Sequence, residues 1–195
     1  MQRSQMGYDT FLVDFRGSGN SNQSETSIGY YEADDVAAAV KYVQSEIEPR
    51  EIILYGQSMG GVAILRAIAE KGVTPQRVII EAVFDKMVST VANRFGSMGI
   101  PAFPGTQMLI FWGSIINGHS GFKHNPVDYA IKVECPVMML HGTEDERATL
   151  EQAQAVFEQF KGEKTFGLFI GVGHESYFVA HADQWKEVVS QFLAQ

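Results

Sequence analysis

The segment Gly56-Gln57-Ser58-Met59-Gly60-Gly61 has the spacing G-x-S-x-G and follows an apolar run, Glu51 to Tyr55, directly. A helical pattern, Val62 to Ala69, follows it just as directly. A sharp strand-to-helix turn at that place pushes a serine hydroxyl out at a helix N-terminus, where the dipole favours negative charge. Glycines two residues to either side let the neighbouring backbone pass without a Cβ clash. Ser58 is therefore a candidate nucleophile. The same residues also fit a plain helix-entry turn with a capping serine, and the pattern alone does not separate the two.

A nucleophilic serine needs a base, and the base needs an orienting carboxylate. Of the five histidines, only His141 and His174 fall at strand ends. His141 closes its apolar run and reads as a packing or hydrogen-bonding residue. His174 sits in Gly171-Val172-Gly173-His174, a loop between the last strand and the last helix. His119 and His124 lie in a Gly/Asn-rich stretch and are expected at the surface, and His181 is expected inside the last helix. After His141 comes Gly142-Thr143-Glu144-Asp145-Glu146, which offers three acids for the orienting role. Asp145 gives the chain order Ser58, Asp145, His174, with Glu144 and Glu146 as competitors.

The elements that must position these residues alternate. Strand-like runs cover Tyr8 to Phe15, Glu51 to Tyr55, Arg77 to Phe84, Pro136 to His141 and Thr165 to Ile170. Helical patterns lie between them, from about Tyr30 to Ile47, Val62 to Ala69 and finally Tyr177 to Leu193. Strand-helix alternation with mostly apolar strands predicts a parallel α/β sheet covered on both faces. In such a sheet chemistry collects beyond the carboxyl ends of the strands, which is where all the candidates fall.

Composition narrows the field of functions. The chain of 195 residues fits one domain, with 45% apolar and 19% charged residues, so a real core is expected. Fifteen Lys plus Arg against 23 Asp plus Glu give a net charge of −8, which argues against nucleic acid or an anionic membrane as the main partner. The lone Cys135 excludes an internal disulfide and Cys-rich zinc modules. The longest apolar stretch, Met108 to Ile116, contains Gly113 and Ser114 and is too short for a stable membrane span. No secretory signal follows Met1, and the cytoplasm is the expected compartment.

Taken with Asp14-Phe15-Arg16-Gly17-Ser18-Gly19-Asn20-Ser21, the GQSMGG turn, HGTED and the GVGH loop, the chain resembles the α/β-hydrolase superfamily over nearly its whole length. Its lysophospholipase-like and esterase-like branch, with a small cap, is the nearest part of that superfamily. The resemblance implies Ser58 as nucleophile, Asp145 as acid, His174 as general base and the Met59 N–H as half of an oxyanion hole. It implies a bracing role for the Arg16 loop. It also implies a single domain over 1–195 with a cap at 86–132, whose Met and aromatic residues would wall an acyl site.

The resemblance further implies that strands found earlier in the family, about 60 to 90 residues' worth, have no counterpart here. About five strands are then expected in an N-terminally shortened sheet. Either Phe11–Val13 closes up beside Ile52–Leu54, or a gap stays open. An uncovered sheet face would favour a homodimer. The second oxyanion donor would be missing, at a cost of about 100- to 1000-fold in turnover. The expected function is a serine hydrolase of carboxylic esters, acyl or lysophospholipid-like small molecules, impaired in this chain, with no metal or organic cofactor. The alternatives are a catalytically silent binding or scaffolding domain, and a peptidase or C–C hydrolase on the same three residues.

Overall fold

The computed structural model describes residues 2–3 and 7–195. Two two-residue strands, β1 (Gln2–Arg3) and β2 (Asp9–Thr10), pair antiparallel apart from the main sheet. That sheet holds β3 (Ile53–Gln57), β4 (Arg77–Glu81), β5 (Val137–Gly142) and β6 (Lys164–Phe169), in the order β3-β4-β5-β6 and parallel throughout. Helices α1 (Glu32–Tyr42), α2 (Met59–Lys71), α3 (Met87–Ser97), α4 (Gly105–Asn117), α5 (Pro126–Ala130), α6 (Leu150–Gln159), α7 (Tyr177–Ala180) and α8 (Ala182–Leu193) complete it.

Period-two alternation sorts the strand side chains into two cores. Val78, Ile80, Val137 and Met139 face Val36 and Val40 of α1, Ala63 and Leu65 of α2, and Ala153 and Val156 of α6. Ile79, Met138, Leu140 and Phe169 face Tyr177 and, on α8, Val189 and Phe192. Each of these buried side chains contributes about 1.5–3 kcal/mol relative to exposure, which is why the strands carry apolar residues on both faces. The helix expected from Tyr30 to Ile47 is α1 followed by a π-helical turn, Val43–Ile47, that ends at left-handed Glu48. Helix α2 stops where Lys71-Gly72 predicts, with Gly72 left-handed at its end.

The sheet has four strands rather than about five. Of the run Tyr8 to Phe15, only Asp9–Thr10 forms a ladder, and that ladder is with Gln2–Arg3. Phe11–Val13 does not close up beside Ile52–Leu54: Phe11, Leu12 and Val13 are exposed, and the Phe11 ring packs on Tyr42 at 5.7 Å. The end of the run is fixed by α1 instead of by a neighbouring strand. The Arg16 backbone N–H and guanidinium both bond the Asp35 carboxylate, at 3.0 and 2.7 Å.

Beside that pair, Glu32 is fully buried and takes four hydrogen bonds, from Thr26 Oγ1, Ser27 N, Ser27 Oγ and Gly29 N. Burial alone would raise its pKa, but the Ser27 bonds outweigh it and hold the carboxyl below its ordinary range. It therefore stays charged and organises the loop that leads into α1.

Helices α3 and α4, a 3-10 turn (Gly121–Lys123) and α5 occupy the stretch where a short helix, a Pro/Gly bend and a second apolar helix are expected. The apolar side chains there do not wall an enclosed site. Helix α4 buries Thr106 and Ile110, while Met108, Leu109, Phe111, Trp112, Ile115 and Ile116 face outward. Among the described residues no helix is long and apolar enough to cross a membrane.

Candidate active site

Ser58 sits between the last residue of β3 and the first of α2, at φ 49° and ψ −115°. That backbone is strained for a residue with a Cβ, and its surroundings hold it there. The Ser58 N–H donates to the Glu81 carbonyl at the end of β4, at 2.7 Å. A Cβ on Gly56 would lie 2.6 Å from the Gly60 carbonyl carbon, so the strand and the first helical turn cross at contact distance. Sequence spacing points to Gly60 as the second space-limited position. The structure moves that demand to Gly61, whose Cβ would lie 2.6 Å from Val83, whereas one on Gly60 would meet the Phe15 ring at an ordinary 3.7 Å.

The three residues chosen from strand-end loops lie within hydrogen-bond reach of one another. His174 Nε2 is 3.0 Å from Ser58 Oγ, and His174 Nδ1 is 2.7 Å from Asp145 Oδ2. Backbone lacing explains how loops so far apart in sequence keep that register. The Glu144 N–H donates to the Val172 carbonyl, Thr143 N–H to the Phe169 carbonyl, and Gly171 N–H to Thr143 Oγ1. The Gln57 amide donates to the Glu175 carbonyl at 2.6 Å, tying the histidine loop to β3. Gln57 was not singled out from sequence, since a lone amide beside a serine carries no distinguishing signal.

Geometry also separates the three acids. Asp145 is buried and its Oδ1 accepts the N–H groups of Arg147 and Ala148, both at 2.9 Å. Burial would raise its pKa, but the His174 bond and these amides hold it below the ordinary carboxylate range. Glu144 and Glu146 are exposed, and neither bonds His174. Met59 opens α2, so its N–H is among those with no acceptor inside the helix.

The other histidines are elsewhere. His141 is buried, with Nε2 on the Ala148 carbonyl at 2.9 Å, and burial lowers its pKa. His124 is not at the surface as expected: it is fully buried, between the Tyr129 hydroxyl and the Ile28 carbonyl, both at 3.0 Å. Burial pushes its pKa down to about 4. His119 stacks on Tyr30 at 3.9 Å. A Gly/Asn-rich stretch looks solvated in sequence, and nothing in it marks the aromatic cluster of Tyr30, Tyr31 and Tyr129 that covers these rings. His181 joins α7 to α8 rather than lying inside one helix.

One buried acid under the site also went unmarked, although an acid inside the apolar run Arg77 to Phe84 was its visible signal; the strand itself stops at that acid, Glu81. Glu81 accepts from the Trp185 indole N–H at 2.5 Å. Burial raises its pKa, against smaller opposing pulls from hydrogen bonds with Trp185 and Tyr55. The folded chain then keeps a proton that the unfolded chain releases above the ordinary glutamate value of 4.5. Stability should therefore decline as pH rises from about 5 toward the raised folded value. Glu81→Gln is expected to remove that decline, so thermal melts from about pH 5 to about pH 8 should show the variant gaining on the wild type. A gap that stays constant with pH would mean Glu81 is ionised throughout.

The family model described as the prolyl oligopeptidase family (Peptidase_S9) matches residues 1–195, the whole chain. The chain belongs to the prolyl oligopeptidase family. Its fold is that of the α/β hydrolases: the Pyrococcus furiosus esterase Pf2001 superposes with a TM-score of 0.75 at 22% identity, covering 97% of this chain and 71% of the esterase. In sequence it is 24% identical to the uncharacterized protein YqkD of Bacillus subtilis (strain 168), over 96% of this chain and 63% of YqkD. It is 23% identical to the lysophosphatidylserine lipase ABHD12 of Danio rerio, over 97% of this chain and 51% of the lipase. The chain thus spans about half to two thirds of the length of these two relatives.

Proposed function

We propose that this chain is a serine hydrolase that cleaves carboxylic esters of small-molecule, acyl or lysophospholipid-like substrates through an acyl-enzyme, with its cap formed by residues 86–132. The observation that carries the reading is the unbroken relay from Ser58 Oγ to His174 Nε2, at 3.0 Å, and from His174 Nδ1 to Asp145, at 2.7 Å. Ser58 Oγ attacks the carbonyl carbon as its proton passes to His174 Nε2. The Met59 N–H donates to the oxygen that becomes negative. Collapse breaks the carbonyl–oxygen bond, and the departing alkoxide takes the proton from His174. Water then repeats the two steps on the acyl-enzyme, returning Ser58 to its hydroxyl. The ionised Asp145 keeps the Nδ1–H in place and offsets the imidazolium charge. The residues balance the reaction without any further group.

With Met59 as the one oxyanion donor assigned among the described residues, turnover of this 195-residue chain is expected about 100- to 1000-fold below that of a two-donor hydrolase on the same ester. The test is labelling with a fluorophosphonate, the adduct mapped by mass to the peptide holding Ser58, with Ser58→Ala as control. Labelling lost in the variant supports an activated nucleophile. No labelling of a folded sample supports the silent binding domain instead. The family's peptidase description favours one second reading, cleavage of an amide. A p-nitroanilide hydrolysed as fast as the matching p-nitrophenyl ester would select it.

A further inference from the structure

A cavity of about 360 Å³ opens beside His174. Helix α3 contributes Arg94 and Ser97 to its wall, Met98 follows at the helix end, and the loop after β5 contributes Glu144, Glu146 and Arg147. The two walls are joined. Thr90 Oγ1 and Asn93 Nδ2 both donate to the Arg147 carbonyl at 3.1 Å, and Asn93 also reaches Gln152. Four charged residues, two of each sign and all exposed, therefore border one space, and the Thr90 and Asn93 bonds fix its two walls relative to each other. Among the described residues none of the four makes an ion pair or a side-chain hydrogen bond. Opposite charges that line one cavity without neutralising each other are arranged for a ligand carrying both signs.

The position of His174 says which part of a substrate comes here. The leaving group must take its proton from His174 Nε2, so it is the departing portion that passes this ring. We propose that the cavity binds the leaving group, and that this group is zwitterionic, with its acid on Arg94 and Arg147 and its ammonium on Glu144 and Glu146. The proposal rests on the serine hydrolase reading for the direction of the reaction. A purely anionic or purely cationic alcohol would meet two like charges, which is the repulsive half of specificity. A neutral alcohol would leave the four exposed charges to solvent and gain nothing from them. Only a zwitterion satisfies both pairs.

Four octanoyl esters separate these cases without acyl migration: octanoylcarnitine carries both charges, octanoylcholine the ammonium alone, the 3-hydroxybutyrate ester the carboxylate alone, and ethyl octanoate neither. Wild-type kcat/KM is expected to favour octanoylcarnitine over ethyl octanoate by about tenfold or more. Arg94→Ala with Arg147→Ala should collapse the preference for the carboxylate-bearing esters, and Glu144→Ala with Glu146→Ala that for the ammonium-bearing ones. Titration calorimetry of Ser58→Ala with the same esters reads binding without turnover. Octanoylcarnitine binding about tenfold tighter than either singly charged ester supports the subsite even where no ester is hydrolysed, and in that case it is the hydrolase reading that fails. Fluorophosphonate labelling and ester turnover, with the four esters within about threefold and unmoved by the variants, overturn the subsite and leave the hydrolase standing. Preference for a singly charged ester overturns it as well.

Discussion

Asp145→Asn is expected to lower kcat on a simple ester by about 10⁴-fold while leaving the chain folded. The size follows from how the carboxylate divides its two oxygens. Oδ1 accepts the N–H groups of Arg147 and Ala148, and Oδ2 faces His174 Nδ1. An asparagine can place one oxygen. Two backbone donors outnumber one imidazole, so the amide oxygen stays on Arg147 and Ala148 and the amide N–H₂ turns to His174. The ring must then accept at Nδ1, which puts its proton on Nε2, against Ser58, where no further proton can be received. The nucleophile stays at 3.0 Å from a nitrogen that can no longer act as its base. Because the loop's own hydrogen bonds survive, the melting temperature should move little. Activity loss of tenfold or less would detach Asp145 from the reaction and direct attention to Glu144 and Glu146. For scale, Ser58→Ala is expected to remove about 10⁶-fold, since the attacking atom itself is gone.

How much of this was legible follows from what each residue's signal depended on. The loops at Ser58, Asp145 and His174 could be located because a parallel sheet sends chemistry to the carboxyl ends of its strands, and strand ends are marked by apolar runs that stop. The alternation of those runs likewise gave the α/β class and four of the strands. The run Tyr8 to Phe15 failed because a strand-like sequence needs a partner. What holds its end is Asp35, a charge on a helix about 20 residues away, not a ladder. His124 failed for a related reason: burial is decided by distant aromatic rings, and the local Gly/Asn composition points the other way. The α4 side chains show the converse. An uncharged stretch rich in Met and aromatic residues predicts a wall, yet only Thr106 and Ile110 find something to pack against, and periodicity does not say which stripe that is. Register between loops, carried by Gln57, Thr143 and Val172, is invisible to any reading that takes segments one at a time.

The glycines of the turn at Ser58 give a sharper expectation than their spacing does, because the structure ranks them. Gly56→Ala would set a methyl group 2.6 Å from the Gly60 carbonyl carbon and 2.7 Å from the Gly61 nitrogen. Those are backbone atoms of the first turn of α2, and no rotamer change relieves them. The strand and helix must move apart, which costs about 3 kcal/mol or more, or about 6–12 °C in melting temperature for a chain of this size. The strained φ of Ser58 depends on the same crossing, so labelling should be lost along with stability. Gly60→Ala, equally part of the G-x-S-x-G signature, adds a methyl at 3.7 Å from Phe15 and about 0.5–1 kcal/mol of helix preference. It should melt no lower than the wild type and keep its label. Gly61→Ala lies between, because its obstacle is the Val83 side chain, at 2.6 Å, and not backbone. Pairing it with Val83→Ala should return much of the stability that Gly61→Ala loses, a coupling that a double-mutant cycle reads directly. Thermal melts and labelling of these four variants distinguish a turn held by backbone crossing at Gly56 from one in which the two flanking glycines share the work. If Gly60→Ala proves as damaging as Gly56→Ala, the crossing is not what holds Ser58, and the strain at its φ must come from the Glu81 carbonyl that its N–H meets.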